Sequence, residues 1–123
     1  MKYLGLLTGE VLKKTIAQAR FVIYPSICYE NCPLSILEAV SLGTPVISSS
    51  RGGSKELVDN GKTGILIEEP FSINKLEKVV KKLLEQPERV EEMARHCISS
   101  REKFFTLEKY GKELERIYRQ IQG

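Results

Sequence analysis

The sequence has no tryptophan, a single histidine and only three cysteines, and each scarcity narrows what the chain can do. Cys28, Cys32, His96 and Cys97 are the thiols and the imidazole from which a metal site could be assembled. Cys-x3-Cys is a loose spacing for zinc, and the neighbours His96 and Cys97 point in different directions on a helix. No acidic cluster of the Asp-x-Asp kind is present to hold a diphosphate-bound cation, so neither a metal nor a cofactor is expected. An odd number of thiols fits reduced side chains better than a disulfide framework. No apolar run approaches the roughly 18 residues that span a bilayer, and no charged-then-apolar segment near the amino terminus reads as a secretory signal. These absences point to the cytoplasm. Charge of either sign is not in excess: nineteen basic residues face sixteen acidic ones for a formal +3. The two signs are interspersed, so no nucleic-acid footprint is expected, and at most a weak attraction to anionic lipid remains.

What is present is an ordinary globular composition, 41% hydrophobic and 28% charged, with length for one domain and a moderate core. Lys2 to Gly5 reads as a short strand. Leu12, Ile16 and Ala19 then share one face of a helix that begins after Thr8 or Gly9. Phe21 to Tyr24 is an apolar run stopped by Pro25, suited to a strand buried on both faces of a parallel sheet. Pro45 to Ser49 and Gly64 to Ile67 are further strands, separated by a short helix capped by Ser54 and by a turn at Asn60-Gly61-Lys62. Beyond Pro70 the pattern is helical throughout. Leu76, Val79, Val80, Leu83 and Leu84 form a stripe ended by Pro87, a second helix runs from Glu88 to about Ser100, and a third follows Thr106 with Leu107, Tyr110, Leu114, Ile117, Tyr118 and Ile121 at helical spacing. Alternating strands and helices predict a doubly wound, Rossmann-like α/β domain.

The stretch from Tyr24 to Glu38 organises the chain. Asn31 or Cys32 caps a helix in which Pro33 occupies the first turn, Leu34, Ile36, Leu37, Val40 and Leu42 supply apolar positions, and Gly43 ends the run. Such a strand-loop-helix unit aims free N–H groups and the positive end of the helix dipole at the crevice beyond the strand, where phosphates bind well. Glu30 lies in the loop, and Glu38 shares a helical face with Leu34. One groove is expected to reach both carboxylates.

Pro25-Ser26, Glu30, Pro33-Leu34 and Glu38-Ala39 are followed by Gly43-Thr44-Pro45-Val46-Ile47 and then by Gly52-Gly53 and Glu56. In this order and spacing the chain resembles the family 4 (group 1) retaining glycosyltransferases of the GT-B fold. The resemblance implies transfer of a sugar from a nucleotide-diphosphate sugar to an acceptor, in polysaccharide or glycolipid synthesis. It assigns Glu30 to hydroxyls of the transferred sugar and Glu38 to the ribose. The amides of Cys32, Leu34 and Ser35 would meet the diphosphate or sugar, and Leu7 would line the base pocket. Gly52 and Gly53 read either as a close backbone approach to the cleft or as a plain turn. Glu56 reads as support for that loop, Arg51 as a solvated loop residue or as one that reaches a phosphate, and His96 as surface. Asn31-Cys32 replaces the family's common Gly-Phe, so sugar preference does not transfer.

The same resemblance implies that residues 1–123 are a partial donor-binding domain. The acceptor-binding domain and the first two strand-helix units would be absent, and the fragment by itself inactive. Peripheral membrane contact would run through the missing domain. The strand at Phe21 would then present an apolar edge, predicting that the first strand moves over to pair with it or that chains self-associate. Two other readings use the same residues. Glu30 and Glu38 would serve a glycoside hydrolase if they faced each other at roughly 5 to 10 Å across an open cleft, and a non-catalytic nucleotide-sugar-binding or assembly module would keep the site without turnover.

Overall fold

A computed structural model describes residues 2–103 and 106–122. Three parallel strands, β1 (Val22–Tyr24), β2 (Val46–Ser49) and β3 (Gly64–Ile67), lie side by side in that order. Val46 pairs with Val22 on one side and with Gly64 on the other. The helices are α1 (Gly9–Gln18), α2 (Leu34–Ser41), α3 (Ser54–Leu57), α4 (Ile73–Glu85), α5 (Pro87–Ser99), which runs on into a 3-10 turn, and α6 (Leu107–Gln122). The α/β class read from the sequence is therefore the class observed. No helix among the described residues is long and apolar enough to cross a membrane.

Alternation along the central strand builds two apolar layers. Val46 packs with Ile36, Ala39 and Val40 of α2, Val58 and Cys97. Ile47 faces the other way, towards Ile67, Leu83, Val90 and Met93. The α5 helix supplies both layers, since Cys97 joins the first cluster and Met93 the second. Desolvation pushes the Cys97 thiol up to about 11, and its sulfur lies 3.4 Å from the Thr63 carbonyl oxygen that accepts from it. Thr44 donates to the Ile16 carbonyl at 2.9 Å, tying α1 to the turn after α2.

Several local expectations give way here. Residues 2–7 form no strand, because a strand exists only through a ladder and no described neighbour pairs with this segment; Tyr3 and Leu6 stand exposed. The expected move of this segment onto β1 is not formed. β1 is half-exposed, with Ile23 open to solvent, so it is an edge strand and not one buried on both faces. α2 has Pro33 as its N-cap and no side-chain cap, so neither Asn31 nor Cys32 caps it. Gly53, not Ser54, is the N-cap of α3. Pro87 starts α5 as well as stopping α4, since a proline at the first helical position forgoes only an N–H that would be unpaired there. The stripe of α6 lies largely open, with Tyr110, Ile117, Tyr118 and Ile121 exposed.

Candidate functional site

Because all three strands are parallel, their carboxyl ends share one edge, and the loops 25–33, 50–53 and 68–72 gather there. Glu30 is held at both its side chain and its backbone. The Tyr24 hydroxyl donates to Oε1 at 2.5 Å and the Ser26 hydroxyl donates to the same oxygen at 3.2 Å, while Oε2 has no donor among the described residues. The bond to Glu30 raises the Tyr24 phenol above its ordinary value. Gly53 donates its amide to the Glu30 carbonyl at 2.8 Å, and the Ser49 hydroxyl donates to the Ser26 carbonyl.

The paired glycines serve this contact. A Cβ at Gly53 would lie 1.9 Å from the Asn31 carbonyl oxygen, and one at Gly52, whose φ is +54, would lie 2.5 Å from that of Glu30. Of the two readings left open by the sequence, close approach holds, but the partner is the loop that carries Glu30. Arg51 is not a solvated loop residue. Its Nε donates to Glu69 Oε1 at 2.6 Å and its Nη1 to the Ile27 carbonyl at 2.5 Å, while its guanidinium carbon sits 4.8 Å from the centroid of the Tyr29 ring. One side chain thus joins all three crevice loops. The guanidinium holds the Glu69 carboxyl below its ordinary range, chiefly through the hydrogen bond.

At the start of α2 the amides of Cys32, Leu34 and Ser35 have no acceptor among the described residues, and all three residues are exposed. Unpaired donors at a helix N-terminus, with the dipole behind them, are what an anion requires. Glu38 lies about 6 Å further along the helix axis than Leu34, four residues at 1.5 Å each. It borders a groove of about 300 Å³ between α1 and α2, lined also by Leu12, Lys13, Ile16, Leu37 and Leu42. Glu30 is not among the residues lining this groove. Lys13 is bound to Glu10 at 2.9 Å, and its ammonium is raised by Glu10 first and by Glu38 last. Leu7 is half-buried on the segment leading into α1, Glu56 is exposed on α3, and His96 is exposed on α5.

Reading the sequence missed Tyr24, Ser26, Arg51 and Glu69. Tyr24 and Ser26 carried a signal, since both lie within six residues of Glu30. The contact from Arg51 to Glu69 spans eighteen residues and had none.

The fold is that of a Rossmann-like domain of the GT-B glycosyltransferases, with Glu30 before and Glu38 within a helix whose N-terminus has no side-chain cap. Residues 1–103 match the family described as glycosyl transferases group 1, and the chain belongs to that family. It is 30% identical over 117 residues to alpha-D-kanosaminyltransferase of Streptomyces kanamyceticus, covering 95% of this chain and 30% of that protein. Sucrose-phosphate synthase from Thermosynechococcus elongatus superposes with a TM-score of 0.85 at 28% identity, over 98% of this chain and 30% of that one. HepE of Anabaena, solved in complex with UDP, shares the fold at 21% identity and a TM-score of 0.79, over 87% and 29% of the two chains. The chain thus spans under a third of the length of these relatives.

Proposed function

We propose that this chain is the donor-binding part of a retaining, family 4 glycosyltransferase that moves a sugar from a nucleotide-diphosphate sugar to an acceptor in polysaccharide or glycolipid synthesis. The observation that carries the reading is the uncapped start of α2, with Glu30 before it and Glu38 one turn inside it. A nucleotide sugar has its anionic diphosphate between ribose and transferred sugar. The amides of Cys32, Leu34 and Ser35 receive that diphosphate, Glu38 accepts from the ribose hydroxyls, and Glu30 Oε2 accepts from hydroxyls of the transferred sugar. Leu7 borders the base, and Gly52 and Gly53 keep the Glu30 loop in place.

Catalysis by such a site is positioning and electrostatics: the helix terminus stabilises the leaving diphosphate as the glycosidic bond breaks towards an oxocarbenium-like species. In the whole protein, segments outside residues 1–123 supply the acceptor site, the basic residues on the diphosphate and any peripheral membrane contact. The chain alone binds donor without turnover. Its free thiols suit a reducing cytoplasm. A non-catalytic binding or assembly role is the second reading. It is favoured by the open β1 edge and the exposed α6 stripe, which also make self-association the expected state of the isolated chain.

The test is an NMR titration of the labelled chain with UDP-, GDP- and ADP-sugars, repeated on Glu38→Ala. Saturable shifts from Glu30 to Glu38 with one base, lost in the variant, support the donor site. Equal shifts in the variant remove Glu38 from it. Light scattering across a dilution series reports self-association.

A further inference from the structure

Tyr29 immediately precedes Glu30, yet it serves neither the core nor the Glu30 carboxylate. It is 81% exposed, and among the described residues its hydroxyl has no hydrogen-bond partner. Its ring is nevertheless held, because the Arg51 guanidinium lies 4.8 Å from the ring centroid and is itself fixed by Glu69 at 2.6 Å and the Ile27 carbonyl at 2.5 Å. A side chain with its base covered by a cation and its remaining surface in water is an aromatic platform ordered before any ligand arrives. Arginine suits this task, since its planar fork bonds in two directions while its face stacks on a ring.

We propose that Tyr29 contacts the transferred sugar, stacking on the apolar C–H face of the pyranose, and that Arg51 is the positioning residue that holds the ring for it. The proposal rests on the donor-site reading and deepens it. Glu30 accepts from the hydroxyls of the sugar, and Tyr29 covers the face that has none to offer. Aromatic surface with a few aimed polar groups is the usual make-up of a small-molecule site.

The experiment compares the affinity of the whole chain for UDP with UDP-glucose, GDP with GDP-mannose, and ADP with ADP-glucose. Each pair is measured in the wild type and in Tyr29→Ala, Tyr29→Phe and Arg51→Ala. For one pair the wild type is expected to bind the nucleotide sugar about three- to tenfold more tightly than the nucleotide. Tyr29→Ala lowers that excess to what Glu30 alone supplies and keeps the nucleotide affinity, Tyr29→Phe retains both, and Arg51→Ala lowers the excess by less. The high exposure of Tyr29 leaves the fold of its variants intact, which amide shifts remote from the loop check. An excess undiminished in Tyr29→Ala overturns the proposal, as does an equal loss for nucleotide and nucleotide sugar. A wild type that binds nucleotide with no gain from the sugar removes the platform and leaves the donor site standing. A wild type that binds neither removes both.

Discussion

Replacing Gly53 with alanine sets two effects of opposite sign against each other. Gly53 has φ −65 and ψ −11, angles that alanine adopts freely, so the lower entropy of the unfolded variant favours it by about 0.4–1 kcal/mol. The added methyl, however, falls 1.9 Å from the Asn31 carbonyl oxygen and 2.7 Å from its carbon, well inside the roughly 3.5 Å at which contacts become attractive. Both atoms are backbone, so no rotamer change makes room and one loop must move away. Overpacking of this kind costs about 1–3 kcal/mol, and the movement breaks the 2.8 Å bond from the Gly53 amide to Glu30, a further loss of about 0.5–1.5 kcal/mol. The clash wins, with a net destabilisation of about 2 kcal/mol. Followed by circular dichroism in urea, the midpoint falls by about 1 M for a slope near 2 kcal/mol/M. Gly111 in α6 has nothing within 4 Å of its would-be Cβ, so Gly111→Ala shows only the helix-forming gain of about 0.5–1 kcal/mol. A Gly53→Ala midpoint equal to or above that of the wild type would refute the close approach of the two loops.

The Tyr24 phenol is raised by its bond to Glu30, so its stabilising contribution is complete below the ordinary phenol range near pH 10 and disappears as pH rises through the elevated value. In an absorbance titration Tyr24→Phe therefore removes a step lying above the ordinary phenol range, and a high-pH end of the curve that is unchanged contradicts the bond. Cys97 rises from 9.0 to about 11, so stability drains between those two pH values. A thiol reagent at pH 8 is expected to label the exposed Cys28 and Cys32 and to reach Cys97 only after denaturation. Ile36→Ala, at a fully buried position, costs about 2–5 kcal/mol, whereas Leu34→Ala at the exposed helix start stays within about 0.5 kcal/mol. Denaturation of both variants checks the assignment of α2's inner face.

Leu34 shows how far patterning reads. The sequence places it among the apolar positions of α2, yet it is exposed, because the helix starts there and its first turn overhangs the crevice. β1 teaches the same lesson from the other direction. A run such as Phe21 to Tyr24 states that a strand forms, but whether both its faces are covered depends on neighbours that lie far away in the chain or outside it.

Three of the four expected strands, the helices, their order, the parallel sheet and the two carboxylates around one helix start were legible in the residues; the strand expected at Lys2 to Gly5 is absent. Period, proline and glycine positions and motif spacing are local properties, and local properties are what a sequence displays. The tertiary structure alone decided that Gly53 abuts Asn31 and that Arg51 reaches Glu69 and Tyr29. These are meetings of loops eighteen or more residues apart, formed only when the ends of parallel strands come together, and no spacing along the chain encodes them.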